Sequence, residues 1–260
     1  MISERDLYAA AATGKENNDV EMRKKQRWFV PLAILALLLC AIAIYNGSLY
    51  RADADAKAAL TSDETVRVLP TDFGWRFDGP SESDALIFYP GAKVEAEAYA
   101  PLCRALARDG VDVCLVRMPL RLAFLGQDKA DSIIADMDYE HWLIGGHSLG
   151  GACAALYAAR HPEALDGVVL LAAFATRPLD DGLSVLSVYG TEDGVLHMDR
   201  YQKCLENLPA QTTELVIEGG NHAQFGSYGN QKGDGAARIT REDQIEETAA
   251  AIAAMIQEIH

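Results

Sequence analysis

From Ala85 onward the chain is built of short apolar runs separated by polar or helical stretches. The runs Ala85–Tyr89, Val111–Met118, His141–Gly145, Gly167–Ala173, Leu183–Gly190 and Glu214–Glu218 are each five to eight residues long. Continuous apolar runs of this length read as strands buried on both faces. Between them the apolar positions return at helical spacing, over Glu95–Asp109, within Leu120–Met137, over Gly151–Arg160 and over Asp243–Ile259. About six core strands alternating with helices predict an α/β domain, with a mostly parallel sheet covered by helices on both faces. Val66–Leu69 and Gly74–Phe77 read as an antiparallel edge hairpin.

The amino-terminal pattern is different. Trp28 to Tyr45 is almost wholly apolar and uncharged. Its eighteen residues, at about 1.5 Å each, span about 27 Å, enough to cross a hydrocarbon core. A cleaved signal peptide is the alternative, and Ala52-Asp53-Ala54 offers a weak cleavage-like site for a secreted product. The run is longer than the roughly 7–15 residues of a signal core, and the stretch before it carries acids. An uncleaved signal-anchor helix over 28–46 is therefore expected. Arg23, Lys24, Lys25 and Arg27 precede it, which puts a cytoplasmic tail at 1–27 and the rest on the extracytoplasmic side of a cell membrane. Residues 47–64, rich in Ala and Asp, read as a stalk, and 65–260 as the globular domain.

Charge narrows the partners. The chain has a formal net charge of −15, and after Tyr45 it holds 17 Lys and Arg against 33 Asp and Glu. Nucleic acid and other polyanions are disfavoured. Of the five cysteines, Cys40 falls in the apolar amino-terminal run. Cys103, Cys114, Cys153 and Cys204 lack metal-ligand spacing, and an oxidising compartment would leave their pairing open. Neither a zinc motif, a P-loop nor a dinucleotide-binding glycine pattern is present, so neither a metal nor an organic cofactor is expected.

The candidate chemistry sits at strand ends. Gly146-His147-Ser148-Leu149-Gly150 reads G-x-S-x-G, between a predicted strand and a small-residue helix. That context predicts a nucleophile elbow, with the serine hydroxyl projecting from the carboxyl edge of the sheet. A serine needs an adjacent base, and the base an orienting acid. Asp193 follows the run ending at Gly190, and His222 follows the last predicted strand. Ser148, Asp193 and His222 would thus share one edge of the sheet, where open α/β folds place their sites. Asp193 competes with Glu192, Asp180 and Asp181, and His222 with His197. Only Phe174 to Gly182 separates two predicted strands, too little for a lid, so an open site is expected. Gln224 to Gly235, rich in glycine, reads either as one wall of that site or as a surface loop.

The order Ser148, Asp193, His222, each after a strand, resembles the α/β-hydrolase superfamily. Ile87–Val94 and Gly219–Gly226 are similar to its compact fold-5 branch, related to dienelactone-hydrolase-like enzymes. The resemblance covers roughly Val66 to Ile259 and implies the α/β-hydrolase fold with a Ser-His-Asp triad. It also implies an oxyanion hole from two backbone N–H groups, which map to Ala92 and Leu149. Gly91, Lys93, His147 and Phe225 are the candidates for lining the substrate pocket. The expected function is a membrane-anchored serine hydrolase acting on small-molecule esters. Amidase, acyltransferase and dienelactone-type lactone hydrolase use the same residues. A catalytically silent binding module tethered at the membrane is the alternative from another class.

Overall fold

The computed structural model describes residues 31–80 and 82–260. The chain divides into two compact units, with the boundary between Leu49 and Tyr50.

In the first unit, residues 31–47 are helical. Leu32, Leu37 and Ile44 on this helix are 66%, 71% and 75% exposed. Residues 28–30 of the expected anchor, and the tail 1–27, lie outside the described residues. Among the described residues no helix is long and apolar enough to cross a membrane.

The second unit is an eight-stranded sheet in the order β1-β2-β4-β3-β5-β6-β7-β8. The strands are β1 (Arg67–Pro70), β2 (Gly74–Asp78), β3 (Asp84–Tyr89), β4 (Asp112–Val116), β5 (His141–His147), β6 (Gly167–Leu171), β7 (Ser184–Gly190) and β8 (Thr213–Ile217). β3 to β8 pair in parallel, and β1 and β2 add the antiparallel edge hairpin that the sequence predicts. Alternate side chains of each central strand go to opposite faces. Leu86 and Phe88 enter one core with Tyr99, Leu102, Leu106 and Ile252. Ile87 and Tyr89 enter the other with Ile144, Ala154 and Tyr157. The first core holds helices α2 (Ala100–Arg108) and α6 (Arg241–Ile259), and the second α3 (Lys129–Asp136) and α4 (Leu149–Ala158).

Three local readings change. The expected helix 95–109 is a 3₁₀ turn, Ala96–Tyr99, followed by α2, because Pro101 has no N–H to give to an earlier turn and so marks a helix start. Within Leu120–Met137 two short 3₁₀ turns precede α3, and Leu120 and Arg121 hold positive φ (47° and 53°). The stretch 47–64, expected as a stalk, enters the folded unit at Tyr50. Tyr50 bridges Val94, Ala52 and Ala56 are buried, and α1 (Ala54–Ala58) is capped by Asp53. Arg241 pairs with Asp53 at 2.7 Å and Asp55 at 2.5 Å, tying this segment to α6. The Asp residues that suggested a solvated linker are in fact a capping group and ion-pair partners. The connection 172–183 between β6 and β7 contains no helix, so no lid is built there. Helix α5 (Met198–Cys204) follows β7.

Candidate active site

Ser148 stands between β5 and α4 with φ 54° and ψ −122°, a backbone state costly for a residue with a side chain. Its N–H donates to the Leu171 carbonyl at 2.9 Å, and its carbonyl accepts from Ala152 N–H at 3.0 Å. The glycines around it are required by close approach. A Cβ on Gly150 would lie 2.0 Å from the Tyr89 carbonyl oxygen, and one on Gly146 2.3 Å from the same atom. The strand–turn–helix context therefore exists as the motif predicts, and the serine sits at the amino-terminal, positive end of a helix.

Asp193 and His222 reach each other from the loops after β7 and β8. His222 Nδ1–H donates to Asp193 Oδ2 at 2.8 Å, and both side chains are 1% exposed. The other oxygen, Oδ1, accepts from Val195 N–H at 2.8 Å and Leu196 N–H at 2.7 Å. The carboxylate is thereby oriented by three donors, and the imidazole lone pair is left on Nε2. That Nε2 is buried and has no hydrogen-bond partner among the described residues. No hydrogen bond joins it to Ser148. His147, next to the serine in sequence, has its ring 4.4 Å from that of His222. The competing acids lie elsewhere: Glu192 pairs with Arg238 at 2.7 Å, and Asp180 accepts from Gly182 N–H. His197 is exposed at the start of α5.

The loop after β3 approaches His147, where a Cβ on Gly91 would lie 2.9 Å from Nδ1. No acceptor for the Ala92 or Leu149 N–H is found among the described residues, which leaves two donors at adjacent strand ends. Lys93 has φ 62°, and its N–H donates to the Arg121 carbonyl at 2.8 Å. Gly91 is buried, and its N–H donates to the Tyr99 hydroxyl at 3.1 Å. The same hydroxyl meets His147 Nδ1 at 2.7 Å. His147 is fully buried and packs beneath the site rather than facing solvent. Burial, then the neighbouring His222, holds its imidazole well below the ordinary range, so it stays neutral. Phe225 is likewise 1% exposed, with its ring 5.6 Å from that of His147.

Two residues were not signalled as functional by the sequence. Tyr99 lies within an apolar helical pattern and reads as core. Burial pushes its phenol above the usual range, so it remains protonated. Asp234 lies between Gly233 and Gly235 in the loop read as wall or surface, and its carboxylate accepts from His222 N–H and Ala223 N–H. For a metal, the described residues offer Asp84, His141 and His260, with one donor atom each within 4.8 Å of the others. Asp84 and His141 start β3 and β5, on the opposite edge of the sheet from Ser148, and His260 follows the end of α6.

The fold is similar to that of solved structures over about two thirds to three quarters of the chain. No curated protein matches the chain at a significant level. Among solved structures it is similar to a dienelactone hydrolase from Anabaena variabilis, with a TM-score of 0.54 and 13% identity over 75% of this chain and 99% of that one. It is similar to a pyrethroid hydrolase, with a TM-score of 0.51 and 16% identity over 67% of this chain and 98% of that one. Mouse alpha/beta hydrolase domain-containing protein 10 gives a TM-score of 0.54 and 12% identity over 75% of this chain and 100% of that one. These identities establish the fold alone. Residues 85–246 match the alpha/beta hydrolase family, a span that begins in β3 and ends in α6 and so takes in the elbow and both loops. The chain belongs to the alpha/beta hydrolase family.

Proposed function

We propose that this hydrolase is a serine esterase with Ser148 as nucleophile, His222 as base and acid, and Asp193 as the orienting acid. The carrying observation is the His222 imidazole, held through Nδ1 by Asp193 with Nε2 buried and unpartnered among the described residues. Nε2 takes the Ser148 hydroxyl proton as Oγ attacks the ester carbonyl carbon. The carbonyl oxygen becomes an oxyanion facing the Ala92 and Leu149 N–H groups. Losing one such donor typically costs about 2.7–4 kcal/mol of transition-state stabilisation. Collapse expels the alkoxide, which takes the proton from His222, and leaves an acyl-serine. Water, deprotonated by His222, then attacks the acyl carbon, and collapse releases the acid while Ser148 Oγ takes the proton back from His222. The substrate is a small-molecule ester, and a lactone, being a cyclic ester, opens by the same steps.

We further propose that the apolar stretch 28–46 anchors the enzyme in a membrane, with residues 50–260 on the extracytoplasmic side. The exposed apolar side chains of helical residues 31–47 support an apolar surrounding for this segment. The first test is hydrolysis of short p-nitrophenyl esters by the full chain and by Ser148→Ala. The variant is expected to lose at least about a thousand-fold in kcat with unchanged folding. A variant as fast as its parent would exclude Ser148 as nucleophile.

A further inference from the structure

Asp193 and His222 stand on two separate loops, and their 2.8 Å hydrogen bond requires those loops to keep register. The carboxylate of Asp234 joins them. Its Oδ1 accepts from Gly194 N–H at 3.1 Å, on the acid's loop, and from His222 N–H at 3.2 Å, on the base's loop. The same oxygen accepts from Gly235 N–H at 2.9 Å, and Oδ2 accepts from Ala223 N–H at 2.8 Å. Four backbone donors thus converge on one side chain from three segments. Such a cluster of N–H groups is an anion-binding concavity, here filled by a carboxylate of the chain itself.

The segment carrying Asp234 is fitted closely to the acid loop. A Cβ on Gly235 would lie 2.1 Å from the Glu192 carbonyl oxygen, and one on Gly194 2.5 Å from the Gly233 carbonyl oxygen. Asn221 Nδ2 donates to the Gly235 carbonyl at 2.8 Å, and Asp234 N–H donates to the Gln231 carbonyl at 3.2 Å. On its other side Asp234 borders a cavity of about 480 Å³, lined also by Asn221, Gln224 and Gln231.

We propose that Asp234 is a positioning residue for the hydrolytic reaction, a brace that fixes the base loop to the acid loop. This rests on the reading of Asp193 and His222 as acid and base. Without the carboxylate, Gly194, His222 and Ala223 lose their common acceptor and the imidazole is no longer held from its own backbone. A displacement of about 1 Å at such a group costs on the order of a hundred-fold in rate.

The test uses the full chain, with Ser148→Ala as the control on the reading itself. If Ser148→Ala keeps the parent's rate, the serine reading fails, and Asp234 is then judged only by its effect on whatever activity remains. Asp234→Ala is expected to lower kcat about a hundred-fold and to change KM by less than about three-fold. Millimolar formate, small enough for the vacated concavity and reaching it from the cavity, is expected to restore a large part of kcat in Asp234→Ala. Asp234→Asn keeps one acceptor oxygen but turns an amide donor towards N–H groups. It is expected to fall about ten-fold and to show no formate rescue. The brace is overturned by a kcat within about three-fold of the parent in both variants. It is also overturned by a loss confined to KM, or by an Asp234→Ala loss that formate leaves untouched in a folded protein. If Asp234→Ala does not fold, Asp234→Asn decides by the same kcat-against-KM split.

Discussion

His147 and His222 lie ring to ring, 4.4 Å apart, and the buried His147 stays neutral. Burial is the larger reason that His147 stays neutral, and His222 the second. The unfolded chain binds a proton at His147 below about pH 6.5, whereas the folded chain does not. This contribution to stability is therefore complete above about pH 6.5 and is lost as the pH falls below it. In His147→Gln, the urea midpoint is expected to fall less steeply between about pH 6.5 and pH 5 than in the parent. Equal slopes would show that His147 does not govern that window. Tyr99→Phe removes the acceptor of Gly91 N–H and the partner of His147 Nδ1, both buried. It is expected to cost about 1–3 kcal/mol in urea denaturation and to slow ester hydrolysis, through the loop that bears Ala92. The turn at Ser148 and the meeting of Asp193 with His222 were legible because each of the three follows a strand. Tyr99 and Asp234 were not: a tyrosine in an apolar helix pattern looks like core. An aspartate between glycines looks like a turn until the N–H groups it meets are known.

At the scale of elements, the strands follow their apolar runs to within a few residues, because each is buried on both faces and leaves little choice of register. The helices departed more, since their ends depend on single residues. Pro101 starts α2, and Thr240 with Asp243 starts α6 by a reciprocal capping box. The elbow is the least forgiving element. Gly150→Ala would push a methyl group into the Tyr89 carbonyl of the neighbouring strand, and neither backbone can yield without moving the loop after β3. This variant is expected to be largely insoluble or to unfold well below the parent's midpoint, as judged by circular dichroism. A stable, active Gly150→Ala would mean that strand and helix have more room than this packing allows.

For the whole molecule, the boundary between Leu49 and Tyr50 separates an exposed apolar helix from a closed hydrolase core. Sequence patterning located the apolar run but placed the domain start at residue 65. The segment is buried through Ala52, just before α1, and Ala56 within it, both too small to register as an apolar pattern. If residues 28–46 anchor the chain, the expressed protein stays with membranes through alkaline carbonate washing and is released by detergent. Recovery in the carbonate supernatant, or a mature protein beginning near Asp55, would count against the anchor. The short connection 172–183 has a kinetic meaning of its own. An enzyme with a hinged cover works slowly on dispersed substrate and quickens abruptly once that substrate forms droplets. Lacking such a cover between β6 and β7, this one is expected to respond smoothly as an ester is raised through its solubility limit. Its saturation curve would be hyperbolic and free of any lag.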